Sequence, residues 1–428
     1  NVEELEIVTH DGEVMRVGPT SEEELEAIIA AGGRRGEIYE QLRNLRERYA
    51  ALIRERYPDI PRRVSGYNLD ELLPEHGFNV ARALVGSEGT LATVLEAKVR
   101  LVPSPPARSL LVFGYPTVFE AADHVPAILE YGPTGLEGID SRLISDMVAK
   151  RKHTAEVPML PDGEGFLLVE FGGGTRSESH AQAEDCMRSL RRDGGTTPAM
   201  KLFDSESEEQ RLWEIREAGL GATAYVPMER DHWPGWEDAA VPPERLGEYL
   251  RGFRSLLDKH GYRAALYGHF GDGCVHCRIN FDLRSAGGLR TWRRFLDEAA
   301  DLVIVHGGSL SGEHGDGQQR AELLPKMYGP ELVGAFAEMK RIWDPGNRMN
   351  PHKVVDSYPI VSNLKLGADY SPPEVETHFA YGEDGGSFAH AALRCVGAGK
   401  CRDASKGTMC PSFAVTKACS ASCRCFAS

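Results

Sequence analysis

Apolar and polar positions alternate from Leu5 to Val17 with a break at His10-Asp11-Gly12, which predicts two short strands joined by an Asp-Gly turn. From Arg35 to Arg56 the period lengthens. Ile38, Leu42, Leu45, Tyr49 and Leu52 fall on one face of an amphipathic helix, and the other face is rich in Arg and Glu. Strand alternation returns from Leu91 to Val102 and stops at Pro103-Ser104-Pro105-Pro106, where we place a domain boundary. Beyond it, strands are expected at Ser109–Tyr115, Gly165–Phe171, Met200–Phe203, Arg263–Tyr267 and Val275–Phe281. Helices are expected at Val118–Tyr131, His180–Arg192, Leu289–Val305 and Pro330–Trp343, the last stopping at Asp344-Pro345-Gly346. This rhythm predicts an α+β domain whose sheet carries helices on one face. Residues Tyr358 to Gly386 are rich in Pro, Gly and acid with weak periodicity and read as a linker, and no internal repeat is visible.

A chain of 428 residues fits two or three domains. With 41% apolar and 26% charged residues it is neither disordered nor membrane-spanning in composition, and no apolar run approaches the roughly 20 residues of a transmembrane helix. The net charge of −15, without a basic stripe, argues against nucleic acid or an anionic membrane as partner. The chain opens at Asn1 without a starting Met or a signal-like segment, so we read it as a fragment or processed chain of a cytoplasmic protein. Of nine cysteines, Cys186, Cys274 and Cys277 are scattered through the body. Cys395, Cys401, Cys410, Cys419, Cys423 and Cys425 crowd the end, a placement that suggests metal ligation over a disulfide framework.

Three Gly-framed turns carry candidate chemistry. Gly86-Ser87-Glu88-Gly89-Thr90 precedes a strand and offers backbone amides that can approach a diphosphate, although an ordinary tight turn accounts for it equally well. His269 and His276 are seven residues apart, a spacing that puts them on opposite faces of a straight strand. Gly271-Asp272-Gly273 forces a turn or bulge that lets both imidazoles converge. Ser311-Gly312-Glu313-His314-Gly315-Asp316-Gly317 adds a carboxylate. Two imidazoles and a carboxylate suit zinc or a similar divalent ion with one position open; solvent-exposed turn histidines are the plainer alternative.

Taken in order, Asn68 in Ser65–Leu69, GSEGT at 86–90, GHFGDGCVH at 268–276, GEHGDG at 312–317 and NPHK at 350–353 resemble the flavin-linked D-2-hydroxyacid dehydrogenases of the vanillyl-alcohol-oxidase type. The likeness is greatest to the bacterial branch fused to an iron–sulfur module, read as D-2-hydroxyglutarate or D-lactate dehydrogenases. It implies the later half of a VAO/PCMH-type FAD-binding domain at 1–103 and a ferredoxin-like α+β FAD-linked oxidase C-terminal domain at 104–355. A linker at 356–390 and the start of a 4Fe-4S module at 391–428 would follow. The family's upstream phosphate cradle precedes Asn1, and Lys417 to Ser428 departs from the family's continuation, so truncation or a shifted reading frame is expected there.

By resemblance, His269, His276 and Glu313 are metal ligands, His314 is the general base, and Arg216 clamps the substrate carboxylate. The plainer reading of Arg216 is an exposed helical arginine paired with Glu. Arg278, where related enzymes often carry Asn, adds a second carboxylate contact that favours a diacid. FAD contacts are expected at Tyr67, Asn68, Gly86, Ser87, Glu88, Gly89, Thr90, Val94, Asn350 and Lys353, and cluster ligands at Cys395, Cys401 and Cys410. The implied reaction oxidises a D-2-hydroxyacid to the 2-oxoacid, with FAD, a divalent metal (zinc foremost) and a 4Fe-4S cluster as cofactors. Electrons would pass to a quinone or a carrier protein. The protein is expected in the cytoplasm or at the inner face of the membrane, and a homo-oligomer is left open. Two rivals stand beside this reading, a zinc-dependent hydrolase using the same ligands and a non-catalytic flavin or iron–sulfur electron-transfer subunit.

Overall fold

The computed structural model describes residues 1–191, 197–203, 205–227, 229–395 and 399. Two antiparallel sheets organise them. The smaller has three strands, β1 (Val2–Val8), β2 (Val14–Val17) and β3 (Thr93–Val99), in the order β2-β1-β3. Leu5 and Ile7 of β1 and Met15 and Val17 of β2 are buried, the alternation expected of a half-buried sheet. Two helices, Glu22–Ala31 and Gly33–Arg56, follow this hairpin, the first opened by a reciprocal Ser21–Glu24 capping box. On the second, Ile38, Leu42 and Leu45 are buried as the periodicity predicts.

The larger sheet contains β4 (Ala107–Tyr115), β5 (Gly135–Asp140), β6 (Gly165–Gly173), β7 (Ala199–Phe203), β8 (Ala239–Ala240), β9 (Ala264–Gly268) and β10 (Cys274–Ile279). Their order is β7-β4-β6-β5-β9-β10-β8. Helices cover both faces, which corrects the single-face expectation. Leu111 and Phe113 of β4 join one core with Ala183, Cys186 and Leu190 of the Arg176–Leu190 helix. Leu110 and Val112 join another with Leu143 and Met147 of the Ser141–Ala149 helix and Leu212 and Ile215 of the Glu206–Glu217 helix. The unbroken apolar run Leu110–Phe113 is the physical reason, since a one-sided antiparallel sheet needs apolar residues only at every second position.

The first core is continuous from Leu5 to Ile360 and includes Tyr67, Tyr328 and Phe336, so the first hundred residues and the Leu324–Trp343 helix pack as one body. The helix expected over 118–131 is two short ones, Val118–Asp123 and Val125–Leu129, divided at His124 before Pro126, which has no N–H to donate. Residues 358–381 are irregular; Ile360 and Leu366 are buried, so the first part of the segment lies on the body, while most of 369–380 is exposed. Among the described residues no helix is long and apolar enough to cross a membrane.

Candidate active site

Between β9 and β10 the chain makes a single 3-10 turn, Phe270–Asp272, closed by Gly273 at φ 69°. A Cβ on Gly273 would lie 1.8 Å from the Val241 carbonyl oxygen, so only glycine fits. The Phe270 ring packs where Gly138 of β5 leaves room; a Cβ there would sit 2.2 Å from it. This seating fixes His269 at the head of the turn and His276 inside β10, with ring centroids 5.2 Å apart and planes at 84°.

The loop at 311–317 is held by one buried carboxylate. Asp238 accepts from Glu313 N at 3.1 Å, His314 N at 2.9 Å and the Ser311 hydroxyl, while its own carbonyl accepts from Gly312 N at 2.8 Å. A nest of consecutive amides around an anion is a stable way to hold such a turn. Asp238 itself has φ 83°, a strained conformation for a side-chain-bearing residue. Glu88 caps the far end of the loop, accepting from Asp316 N at 2.8 Å and Gly317 N at 3.0 Å.

Glu313 and three imidazoles meet at one point. Glu313 Oε1 lies 3.5 Å from His269 Nε2, 3.2 Å from His276 Nε2 and 3.3 Å from His314 Nε2. The Arg62 guanidinium also pairs with Glu313 and holds Asp272 at 2.8 Å. The His276 hydrogen bond, followed by the charges of His269, His276 and Arg62, pulls the Glu313 carboxyl down to about 2 against its partial burial. His314 stacks on His276 at 5.2 Å and 11°, with Nδ1 3.5 Å from Glu237.

Two donor sets have all ligand atoms within 4.8 Å of one another, Asp238–Cys274–His276–Glu313 and Glu237–His276–His314; His269 stands outside both. Asp238 is saturated by the loop amides, and the buried Cys274 thiol, its pKa raised by burial, donates to it at 3.2 Å. That leaves His276 and Glu313 as the available ligands of the first set, with His269 and His314 facing the same carboxylate oxygen. A nitrogen- and oxygen-rich set of this kind fits a divalent cation of the zinc type.

Both arginines singled out in the sequence reach this site. Arg216, on the Glu206–Glu217 helix, donates Nε to Glu137 Oε2 at 2.7 Å and lies over the Tyr267 ring, 5.2 Å from its centroid. Its terminal nitrogens make no hydrogen bond among the described residues, so the guanidinium fork is available to a carboxylate. Arg278 follows His276 on the same face of β10, with NH2 4.0 Å from Glu237 and a buried Nε that has no partner among the described residues.

The residues expected to face flavin separate into two groups. Gly86 and Gly89 have φ 77° and 66°, and a Cβ on Gly89 would meet nothing within 4 Å. The amides of Gly86, Glu88 and Gly89 donate to no described residue, which leaves an open cradle that fits a phosphate. Asn350 closes on this turn through Nδ2 to Glu88 O at 2.8 Å. Tyr67 and Asn68 support it from behind, Tyr67 bonded to Thr90 Oγ1 at 2.6 Å and Asn68 to Val85 O at 2.9 Å. Ser87 is buried, Val94 is exposed on β3, and Lys353 lies over the Tyr358 ring, 6.0 Å from its centroid. Cys395 is exposed, two residues past the Phe388–Leu393 helix, while Cys401 and Cys410 lie outside the described residues.

Arg62, Glu137, Glu237 and Asp238 escaped the sequence reading. None lies in a Gly-framed motif with a histidine, and their role shows only in their partners.

The family model of FAD linked oxidases, C-terminal domain, matches residues 104–354, and the chain belongs to that family. D-2-hydroxyglutarate dehydrogenase of Pseudomonas putida is 31% identical, over 97% of this chain and 42% of the relative. D-lactate dehydrogenase of Archaeoglobus fulgidus is 29% identical, over 65% of this chain and 58% of the relative. The chain thus spans less than half the length of the first of these. A solved 4-ethylphenol oxidase from Gulosibacter chungangensis superposes with a TM-score of 0.48 at 14% identity, over 83% of this chain and 65% of that one.

Proposed function

We propose that this chain carries the substrate-oxidising centre of a flavin-linked D-2-hydroxyacid dehydrogenase, with a diacid such as D-2-hydroxyglutarate as substrate. The observation that carries the reading is the meeting of three Nε2 atoms at Glu313 Oε1, 3.2–3.5 Å away, with Arg216 and Arg278 near the same histidines. Family membership weighs against the hydrolase alternative.

His269, His276 and Glu313 would hold the cation, and the open turn at Gly86–Thr90 with Asn350 would cradle part of FAD. When bound, the flavin supplies the electron sink and the cation the Lewis acidity that makes a substrate hydroxyl easier to deprotonate. Arg216, anchored through Nε, presents its terminal nitrogens to the C1 carboxylate. Arg278 has its charge within reach of Glu237 and its Nε unpaired, which suits a second, distal carboxylate. His314 takes the hydroxyl proton, its two ring nitrogens facing Glu237 at Nδ1 and Glu313 at Nε2. Cys395, Cys401 and Cys410 would begin an iron–sulfur relay to a quinone or carrier protein.

The test is His314→Asn in the flavin-loaded protein, followed by anaerobic rapid mixing with substrate. Asn keeps a hydrogen-bonding group of comparable size and cannot serve as base. Metal and FAD content should persist while flavin reduction slows by roughly 10²–10⁴-fold. Reduction at the original rate would overturn His314 as base.

A further inference from the structure

Glu137 lies near the middle of β5, paired with Leu168 of β6, and its side chain is 14% exposed. Its two oxygens are divided between two different elements. Oε1 lies 2.6 Å from His269 Nδ1 on the β9–β10 turn, and Oε2 accepts from Arg216 Nε at 2.7 Å on the 206–217 helix. With Nδ1 donating, the His269 lone pair is on Nε2, the atom that faces Glu313. With Nε held, the Arg216 fork is aimed by the same carboxylate.

We propose that Glu137 is a positioning residue that couples cation binding at His269 to carboxylate binding at Arg216. This rests on the functions proposed above for His269 and Arg216. A cation that draws His269 into place steadies Glu137 and therefore Arg216; a carboxylate on Arg216 acts in reverse. Such coupling is reciprocal, so each ligand raises the affinity for the other by one common factor.

Glu137→Gln is the informative change. Both partners are donors, and a glutamine offers one acceptor oxygen and one donating amide. Either one of the two bonds is lost, or His269 turns to the tautomer that accepts on Nδ1 and carries its proton on Nε2, where the cation would bind. The experiment measures Zn²⁺ affinity of the chain by competition with a chromophoric chelator, with and without 2-oxoglutarate, and needs no flavin and no turnover. In the wild-type chain 2-oxoglutarate should tighten Zn²⁺ binding. In Glu137→Gln, Zn²⁺ affinity should fall by roughly 10–100-fold and the effect of 2-oxoglutarate should shrink to what its direct contact with the cation provides, with the far-ultraviolet spectrum unchanged. Glu137→Asp, which keeps both acceptor oxygens on a shorter arm, should regain part of both and serves if the Gln variant fails to fold. Arg216→Ala should keep the Zn²⁺ affinity and show the same reduced response to 2-oxoglutarate. Wild-type affinity and an undiminished 2-oxoglutarate effect in Glu137→Gln would overturn the coupling alone. A wild-type chain that takes up no Zn²⁺ would overturn the cation site and the coupling with it.

Discussion

Asp146 is a residue whose surroundings set its chemistry. Its side chain is 4% exposed and lies 3.4 Å from Arg142 Nε. Burial, opposed chiefly by Arg142, pushes its carboxyl from 3.8 up to about 7. A carboxyl raised on folding favours the protonated form, so its stabilising contribution is complete below about pH 4 and is lost as pH rises through about 7. Asp146→Asn is uncharged throughout. The variant should therefore gain on the wild type by on the order of 1 kcal/mol or more between about pH 4 and pH 8. Urea unfolding at both ends of that range measures the difference, and a gap that does not change with pH would contradict it. At this scale the sequence was a partial guide. His269, His276, Glu313 and His314 stand out because glycines frame them, whereas Glu137, Arg62 and Asp238 act through partners between 36 and 251 positions away.

The β9–β10 turn is the element on which the site depends. Gly273 combines φ 69° with a carbonyl oxygen 1.8 Å from where a Cβ would lie, while Gly77 has φ 74° and nothing within 4 Å. Gly77→Ala should cost about 1 kcal/mol from backbone strain alone. Gly273→Ala adds a clash with backbone that has to move, and should cost roughly 2–4 kcal/mol while disordering His269 and His276. Thermal unfolding of the two variants separates the terms; equal losses would show that Val241 yields easily. Legibility at this scale followed the strength of the pattern. Strands β4, β6, β7, β9 and β10 and the long helix at 33–56 announced themselves by alternation or period. Strand β5 did not, because Gly135-Leu136-Glu137-Gly138-Ile139-Asp140 mixes glycine and acid with only two apolar residues. Yet β5 lies inside the larger sheet and carries Glu137, Gly138 and Asp140. Its glycine exists to admit Phe270, a tertiary demand that no local pattern records.

Across the whole molecule, motifs far apart in sequence become one surface. Glu88 of the first Gly turn caps the amides of Asp316 and Gly317, and Asn350 closes on Glu88 O. Ser65 and Gly66 donate to Asp316 at 2.8 and 2.7 Å, and Arg62 pairs with Glu313. The open Gly86–Gly89 turn and the His–Glu cluster are therefore linked through a single loop. The helices on both faces of the larger sheet were not visible, because they depend on which residues of β4 meet which helix. In the function proposed above, the His269–His276–Glu313 centre and the flavin act together on a 2-hydroxyacid. The most direct measurement is the visible absorbance of the flavin-loaded protein, mixed anaerobically with D-2-hydroxyglutarate before and after chelator treatment. The flavin band should bleach in the untreated protein, stay oxidised once the cation is removed, and bleach again when Zn²⁺ is restored; bleaching at an unchanged rate in the metal-free protein would contradict the account.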